Sequence, residues 1–571
     1  MTRLFIDGKE VALDKDLELE YTSCNPFFTK KGDFTYDLDI DLKCPQNAKI
    51  YQHIDRHDTS KCPTNRKAIL MSDSRVIIEG TEIILSVESN KAKIQIVGSN
   101  SELNYLSGNG LKVREMDFGT ITVDRNTAKA TLEGCFPEYN YVCPPVYTGY
   151  ETDAYTFNNR INLQGEYYAD TKISPQPYLL YYVEKIVELL GYTLEENFLR
   201  DDKRWCRLYL VNGINTLEYA KMLPDWTADE FITEIEKFFN CVFIVNRSGK
   251  RVRIVDVKSY YANSAYQYIN SILDESIEKT YDADDDLYIN YDNVSFDFPD
   301  LRQYKYDCLN QEIIKLCTSR EINSHTDFGQ YDKEAYDKHI IYHTKDYGLD
   351  FILVKQDENQ LRRVLVNRFS SIEGPENSDT TSLKLIPAEI YGGGTLTTLG
   401  AEGLFTCAYA RNANPMDDTT GDTGLYDMIQ NGIPEEEVPD RIYIALYAGK
   451  VPLFSDIAPD VYHTYQLFPM TRTDTYYHIT TSSALALVKF EDENLTLILK
   501  GEKGLYENYY KGGIKVNTTT EYHFSFIPHE HYDPSALFII NNKPYYCKEL
   551  KYKVEALGLN KVVEGIFYLI E

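Results

Sequence analysis

Residues 223–256 have the sequence LPDWTADEFITEIEKFFNCVFIVNRSGKRVRIVD, and several local signals agree there on one structure. Thr227 and Glu230 have the spacing of a capping box, in which each side chain accepts a hydrogen bond from the backbone N–H of the other residue. Apolar residues then recur at helical spacing from Phe231 to Phe239. This pattern predicts a helix of about three turns with one apolar face.

Two strands are predicted directly after this helix. Residues 241–245 form a short apolar run rich in β-branched side chains, which is typical of a buried strand. Residues 246–249 form a predicted turn, because Gly249 can adopt a positive φ angle, and residues 251–255 lead the chain back as the second strand. The unit is therefore a helix packed on a β-hairpin, and it contains no catalytic motif.

The composition of the 571 residues is that of a large globular protein. Hydrophobic residues make up 43% of the chain and charged residues 26%, and this length predicts roughly three or four domains. The 88 acidic and 59 basic side chains give a net charge of −29, which argues against tight binding of nucleic acid or of an anionic membrane. The 48 tyrosines suit extensive protein interfaces, and a β-rich fold that favours aromatic strand residues explains them equally well.

The sequence carries no sign of export or membrane insertion. The first residues, MTRLFIDGKE, lack the apolar segment of a signal peptide, and no run of about 18 apolar residues predicts a transmembrane helix. The 11 cysteines are scattered without a Cys-x-x-Cys pair, which is typical of reduced thiols in a protein made in the cytoplasm. We therefore expect a protein that stays soluble after synthesis.

Residues 1–145 are predicted to form a β-barrel-like domain, because many short strands alternate with closely spaced turns, as in a barrel or a sandwich. Asp7-Gly8 has the favoured composition of a hairpin turn. Residues 34–42 alternate apolar and polar side chains, as in a half-buried strand. The remaining predicted elements are a strand–turn–strand at 76–87 with its turn at Glu79-Gly80, a strand at 93–97 and a strand at 120–123.

Three further domains are predicted along the chain, so that the fold class is mainly β with an α+β insert. Residues 146–260 form the α+β domain, in which a helix runs from Ser174 to Leu190 ahead of the helix and hairpin. Residues 261–400 form a second β-barrel-like domain, and residues 401–571 form a C-terminal β-rich domain. Predicted elements in these last two domains are strands at 294–298, 441–446, 495–499, 537–540, 545–554 and 565–570, turns at 392–394 and 541–542, and a loop at 412–424.

One acidic stretch has some features of a calcium-binding loop. Asp282, Asp284 and Asp286 occupy positions 1, 3 and 5 of such a loop. Position 6 is Leu287, where the EF-hand requires glycine, and position 12 is Asn293, where it requires glutamate. A solvated acidic loop is therefore the favoured interpretation.

Three histidine groups have the spacing of candidate zinc ligands. They are His53 with His57, His339 with His343, and His529-Glu530-His531. The first two groups lack the glutamate of an HExxH motif, and in the third Glu530 would point to the opposite face of a strand from the histidines. Surface histidines without metal are the favoured interpretation.

No motif for catalysis or cofactor binding is complete in the sequence. Residues 107–113, SGNGLKV, are similar to the start of a dinucleotide-binding loop but lack its third glycine, and we interpret them as a turn. There is no GxSxG elbow, P-loop or nucleophilic cysteine signature. We assign no catalytic, cofactor-binding or metal-binding residue, and we expect that the chain is not an enzyme and needs no cofactor.

Four segments of the chain are informative because of their order. They are residues 35–47, in which an alternating strand leads into Cys44-Pro45-Gln46-Asn47, residues 78–83 with 92–97, residues 173–192, and residues 226–255. Together they resemble the baseplate hub proteins of tailed phages, a family that includes the N-terminal part of siphophage tail-associated proteins.

The resemblance implies a structural, non-enzymatic component of a phage or prophage tail. Family hubs assemble as trimers, and their paired barrels form a pseudo-sixfold ring that joins the tail tube to the baseplate or tip. The resemblance therefore implies two β-barrel-like modules flanking the helix and hairpin, self-association as a homotrimer, and binding to other tail proteins. It also implies a place in the virion after assembly in the host cytoplasm.

Two other functions stay open at this point. One is a carbohydrate-binding or surface-adhesion protein in which exposed tyrosines stack on sugars, although that function favours a secretion signal. The other is a glycan-cleaving enzyme, which needs a cleft with two carboxylates at a suitable separation.

Overall fold

The computed structural model describes most of the chain. The described residues are 1–570 except 60–62, 109, 149–156, 163, 214–215, 247–249, 263, 280–292, 299–315, 325–339, 347, 356–360, 374–379, 394–404, 411–439, 455–461, 481–484, 513, 515 and 530–531.

Secondary structure in these residues is mainly β, which confirms the predicted class. The helices are α1 (Pro45–Ile50), α2 (Ser99–Gly108), α3 (Arg125–Thr131), α4 (Leu179–Leu189), α5 (Phe198–Asp201), α6 (Ala228–Phe239) and α7 (Val257–Ala262). Strands in the first part of the chain are β1 (Thr2–Ile6), β2 (Lys9–Val11), β3 (Glu18–Cys24), β4 (Asp33–Thr35), β5 (Leu38–Asp41), β6 (Arg66–Ser72), β7 (Arg75–Glu88), β8 (Lys91–Gly98), β9 (Tyr141–Val142), β10 (Val146–Tyr147), β11 (Phe157–Asn158), β12 (Gln176–Pro177), β13 (Thr193–Asn197), β14 (Leu208–Leu210), β15 (Cys241–Val245), β16 (Arg251–Asp256), β17 (Tyr266–Ile269) and β18 (Ile272–Lys279). Strands in the second part are β19 (Asn293–Phe296), β20 (Thr318–Ile322), β21 (Ile340–Thr344), β22 (Leu349–Lys355), β23 (Leu361–Val366), β24 (Thr380–Leu383), β25 (Leu385–Pro387), β26 (Ile390–Gly393), β27 (Phe405–Tyr409), β28 (Ile442–Phe454), β29 (Tyr462–Arg472), β30 (Tyr476–Thr480), β31 (Leu485–Lys489), β32 (Thr520–Phe526), β33 (Leu537–Ile540), β34 (Lys543–Glu555) and β35 (Gly558–Leu569). Among the described residues, every helix is too short or too polar to cross a membrane.

The largest sheet joins the two ends of the chain. Among the described residues it contains 14 strands in the order β18-β32-β35-β34-β3-β4-β8-β7-β6-β1-β2, with β5 also on β8 and with β33 linking β34 to β17. The junction is the antiparallel pair of β3 and β34, in which Tyr21 lies opposite Tyr552. Side chains on one face, such as Leu4, Ile94 and Phe567, are fully buried and form the core of this sheet.

No sheet in the described part of the chain closes into a barrel. Thr2 N donates a hydrogen bond of 3.0 Å to Ala556 O across the open side of the largest sheet, but no strand ladder forms there. The expected pair of barrels is therefore not found in these residues. One physical reason is that β17 and β18, which belong to the expected second barrel, pair with the C-terminal strands β33 and β32 instead. The division into four domains stays a prediction.

The described part of residues 223–256 folds as predicted, and residues 247–249 of the predicted turn lie outside the described residues. Glu230 N donates to Thr227 Oγ1 at 3.1 Å and Thr227 N donates to Glu230 Oε2 at 2.6 Å, so both halves of the capping box form at the start of α6. The helix stops before Asn240, whose φ of 45° is left-handed. β15 and β16 pair antiparallel, and β13 adds a parallel third strand that the sequence did not predict.

This helix-and-hairpin unit is packed on both faces. Phe243 of β15 belongs to a core that includes α6 and Trp205, whereas its neighbour Val242 belongs to a second cluster that includes Tyr568 of the largest sheet. The split follows the alternation of side chains along a strand. In the first core Trp205 Nε1 donates to Tyr509 OH at 2.7 Å. The unit therefore connects the largest sheet to the remainder of the chain.

Strand β7 corrects the predicted turn at Glu79-Gly80. Residues 75–88 form one continuous strand. A Cβ atom at Gly80 would lie 1.9 Å from Val97 O on β8, so the glycine allows a close approach of two backbones. The sequence signal was real, but its cause is packing rather than a turn.

Several other predicted elements differ in position or type. Residues 34–42 form two strands, β4 and β5. Residues 45–47 belong to α1, and α2 and α3 add further helices to a segment predicted to be β. Residues 120–123 and 495–499 form no strand, because they are held by hydrogen bonds such as Ile121 N to Leu217 O and Leu497 N to Thr473 O without a ladder. Gly392 and Gly393 belong to β26, and the helix predicted from Ser174 begins at Leu179.

The remaining predicted elements are confirmed or lie outside the described residues. Those confirmed are the turns at 7–8 and 541–542 and strands corresponding to 93–97, 294–298, 441–446, 537–540, 545–554 and 565–570. Those outside are the loop at 412–424 and the acidic stretch at 282–286.

Candidate interaction surface

Strand β18 forms one end of the largest sheet. It pairs with β32 on one side, and no strand in the described residues pairs with its other side. Every residue from Leu273 to Lys279 is exposed. An unpaired strand presents backbone N–H and C=O groups that can bind another chain. We refer to β18 with its side chains as the edge surface.

Large apolar side chains are exposed on the edge surface and on the strand that precedes it in the chain. Leu273 is 56% exposed and Ile277 is 61% exposed. On the preceding strand β17, Tyr266 and Tyr268 are 45% and 59% exposed. Full burial of one large apolar side chain is favourable by roughly 1.5–3 kcal/mol, so covering these residues would stabilise an assembly.

The two faces of β18 differ in character. Pairing with β32 places Ser276 opposite His523 and Glu278 opposite Glu521, on the outer face of the sheet. Ile277 lies opposite Tyr522, which packs against the core on the inner face. Glu275 and Lys279 lie on the inner face on either side of Ile277. A strand added beside β18 would therefore meet polar and acidic side chains on one face, and an apolar side chain between two charged ones on the other.

The carboxylates of the edge surface differ from those on neighbouring strands. On β32, β34 and β35, three glutamates have a lysine partner within 3.2 Å; the pairs are Glu521–Lys548, Glu549–Lys551 and Glu564–Lys553. On β18, by contrast, no lysine or arginine of the described residues pairs with Asp274, Glu275 or Glu278. The edge surface therefore carries an excess of negative charge, with three carboxylates and the single ammonium of Lys279.

A cleft of 260 Å³ opens on the outer face beside β18. Its lining includes Asp274, Ser276, His523 and Glu564 from three adjacent strands. Lys551 and the apolar residues Phe524 and Ile566 also line the cleft. Most of the lining side chains are polar or charged, so the cleft suits a polar side chain.

Glu278, Glu521 and His523 form a group of possible metal ligands within the described residues. Their ligand atoms lie within 4.8 Å of one another, and His523 Nε2 lies 3.4 Å from Glu278 Oε2 and 3.6 Å from Glu521 Oε2. Lys548 Nζ, 2.6 Å from Glu521 Oε1, already supplies a positive charge at this group. We therefore assign no metal to it.

The protonation of Lys548 is secured by its neighbours. Burial lowers the pKa of the ammonium, but the hydrogen bond to Glu521 and the proximity of Tyr568 raise it, and the net pKa lies above the ordinary value. Burial raises the pKa of Tyr568 to about 12. The Glu521–Lys548 pair is therefore a stable part of the sheet, in contrast to the acids of β18.

The histidine groups considered from the sequence form no metal site among the described residues. His53 is half-buried and His57 is exposed in the turns after α1. His343 Nδ1 lies 2.8 Å from Asp350 Oδ1, across β21 and β22, and His529 Nε2 lies 3.2 Å from Ser271 Oγ. Those that lie outside the described residues are His339, Glu530 and His531, together with Asp282, Asp284, Asp286 and Leu287.

Residues 107–113 lie at the end of a helix. Ser107 and Gly108 are the last residues of α2, and Gly110 has a φ of 73°. A dinucleotide-binding loop requires the opposite order, with a strand before the glycines and a helix after them.

Sequence reasoning did not identify the edge surface. The residues of β18, ILDESIEK, lack the alternation that predicts a strand, and their partner β32 lies far away in the chain. One usable signal was present, because Leu273 and Ile277 stand among four charged residues. Such a pattern fits neither a core segment nor a fully solvated loop.

Comparisons with known proteins give little beyond this geometry. No family model matches the chain, and no curated protein matches it. The 43 kDa tail protein of prophage MuSo2 from Shewanella oneidensis is similar with a TM-score of 0.29 and 6% identity, over 100% of this chain and 97% of that one. A tail protein from Neisseria meningitidis MC58 is similar with a TM-score of 0.30 and 7% identity, over 99% of this chain and 95% of that one. Both are tail proteins, but similarity at these TM-scores establishes neither fold nor function for this chain.

Proposed function

We propose that the chain is a structural subunit of a phage-type tail that acts by binding other chains rather than by catalysis. The observation that supports this most strongly is the edge surface, an eight-residue strand whose outer edge has no partner among the described residues. The charged residues of β18 hinder pairing with strands that do not complement them, but monomeric proteins rarely combine an unpaired edge with exposed leucine and isoleucine. A subunit whose edge is covered in an assembly has no such constraint.

The assignment to a tail is supported by the four sequence segments that resemble baseplate hub proteins. In this fold they correspond to β5 with α1, β7 with β8, the region of α4, and α6 with β15 and β16. The finer proposal is a homotrimeric hub ring that joins the tail tube to the baseplate or tip. This part rests on the resemblance alone, because the paired barrels that it implies are not closed in the described residues.

The charge of the chain suits this role. A net charge of −29 would keep DNA from adhering to a ring through which it passes, because like charges repel. No cofactor, metal or catalytic residue is part of the proposal. Binding to other tail proteins and a place in the virion belong to it.

The experiment is localisation of the chain on purified particles. An antibody against the chain should label the tip of tails produced by a strain that encodes it, as seen by electron microscopy. A deletion of the gene, complemented by the wild-type copy, should abolish complete tails and then restore them. Normal, infectious particles that lack the chain would contradict the proposal.

A carbohydrate-binding or adhesion function is the second candidate. It is favoured by the exposure of Tyr266 and Tyr268, two residues apart on β17 and therefore on the same face. Aromatic rings in this arrangement can stack on sugars. A glycan array probed with wild type and with Tyr268→Ala tests this function. Specific binding that the variant loses would support adhesion, and a lack of wild-type binding to any glycan would argue against it.

A further inference from the structure

We propose that the edge surface binds an extended segment of another protein, added as a further strand beside β18, in which lysine or arginine occupies every second position and an apolar residue lies next to Ile277. The inference rests on the proposed function only in taking β18 as an assembly surface. It goes further by defining the chemistry of the partner.

The backbone of β18 provides the first half of the recognition. The strand has eight residues, which at 3.3 Å per residue gives about 26 Å of edge. Its side chains are exposed along almost this whole length. A partner segment of roughly five to eight residues could therefore form main-chain hydrogen bonds with it, as in other cases of strand addition.

The outer face selects positive charge. Asp274 and Glu278 lie on this face with Ser276 between them, and neither carboxylate has a lysine or arginine partner in the described residues. Side chains of an added strand would lie directly beside them, because neighbouring strands place opposite residues on the same face. A lysine or arginine at every second position would meet these carboxylates and the polar cleft beside them.

The inner face selects an apolar side chain at one position. Ile277 lies on this face and is exposed, although its opposite residue Tyr522 packs against the core. An apolar residue next to Ile277 would extend that core by one strand. Glu275 and Lys279 flank Ile277 on this face, so the apolar position in the partner is the one beside Ile277, and the basic positions alternate with it on the outer face.

A second copy of this chain fits the edge surface poorly. An antiparallel pair of two β18 strands would bring six carboxylates together with only the two Lys279 side chains to offset them, between chains that each carry a net charge of −29. Like charges on adjacent strands are destabilising. Charge complementarity therefore favours a different, basic segment.

The binding experiment uses the full chain and three dye-labelled peptides of eight residues. One alternates lysine and valine, one has four lysines followed by four valines, and one alternates glutamate and valine. We expect the alternating lysine–valine peptide to bind at least tenfold more tightly than the blocked peptide of the same composition, measured by fluorescence anisotropy at physiological salt. Equal binding of the two cationic peptides would reveal simple charge attraction and would overturn the proposal.

Protein variants locate the binding. Ile277→Lys, and separately the double variant Asp274→Lys with Glu278→Lys, should each weaken binding of the alternating lysine–valine peptide at least tenfold. The matched control is Asp14→Lys with Asp16→Lys, which makes the same change in net charge at an exposed turn far from β18 in the sequence and should change binding less than twofold. An equal loss of peptide binding in the control variant would overturn the proposal.

Two further measurements cover a variant that fails to fold and self-association of the protein. If Ile277→Lys fails to fold, the double variant decides, because reversing its charge should make it bind the alternating glutamate–valine peptide. Sedimentation velocity of the protein alone tests the second copy: self-association that Ile277→Lys abolishes would overturn the proposal. Labelled tails together with absent peptide binding would reject this inference and leave the proposed function standing.

Discussion

The helix-and-hairpin unit and the edge surface are opposite extremes of this molecule. In α6 eight of the twelve residues are buried, whereas in β18 every residue after Ile272 is exposed. The first region joins two cores and is held by contacts on all sides. The second is held through one neighbouring strand in the described residues. The comparison indicates that the unit stabilises the fold and that the edge surface is available for binding.

The largest expected effect is a difference in the free energy of unfolding between a variant of α6 and a variant of β18. Phe239 of α6 is fully buried against Trp205, with the ring centroids 4.9 Å apart. Phe239→Ala should lower the free energy of unfolding by about 3–5 kcal/mol, because it leaves a cavity in a packed core. Ile277→Ala is the matched control on the edge surface and should change it by less than about 0.5 kcal/mol.

Tryptophan fluorescence during urea unfolding measures this difference. The chain has two tryptophans, Trp205 and Trp226, and both are buried in the same core as α6. The signal therefore reports on the unit itself. Similar losses of unfolding free energy for Phe239→Ala and Ile277→Ala would show that the edge surface is packed as tightly as the helix. That result would contradict the contrast between the two regions.

The next effect depends on pH. Glu236 of α6 is buried, its carboxylate accepts a hydrogen bond from Phe243 N at 3.2 Å, and burial raises its pKa to about 8. Because the folded pKa lies above the unfolded value, this group's contribution to stability is complete at low pH and is lost as the pH rises through about 8. Glu236→Gln should therefore stabilise the protein by about 1–3 kcal/mol at pH 9 and by much less at pH 5.

The measurement is the urea midpoint of wild type and variant at both pH values. Glu275→Gln on the exposed edge surface is the control and should leave the midpoint unchanged at each pH. An equal effect of Glu236→Gln at pH 5 and pH 9 would contradict the assignment of the effect to ionisation.

The smallest effect concerns the start of α6. Thr227→Ala removes the side chain that accepts a hydrogen bond from Glu230 N and should cost about 1 kcal/mol. Thr227→Ser keeps the acceptor and should cost much less. Equal costs for the two substitutions, measured in the same unfolding assay, would show that the capping box contributes little here.

Sequence reasoning predicted the helix and hairpin because their signals are local. The capping box, the helical spacing of Phe231 and Phe239, and the apolar run of β15 all lie within one short segment. Helix α2 was not predicted, because its sequence SNSELNYLSG has little apolar periodicity, with Leu103 and Leu106 as its aliphatic side chains.

The largest sheet could not be predicted in this way, because its central pair joins β3 to β34 from opposite ends of the chain. Gly80 was misinterpreted for a related reason, since the contact that requires it comes from β8. The edge surface combines both difficulties, with a weak local pattern and a distant partner strand. The 48 tyrosines fitted either interfaces or a β-rich fold, and they did not indicate where an interface would lie.

Hydrogen–deuterium exchange on the free chain and on assembled tails tests the central claim most directly. If the edge surface is covered in the assembly, amides of residues 272–279 should exchange markedly more slowly in tails than in the free chain, while amides of residues 228–239 should exchange at the same slow rate in both. Unchanged, rapid exchange of residues 272–279 in assembled tails would show that β18 stays uncovered and would contradict the account.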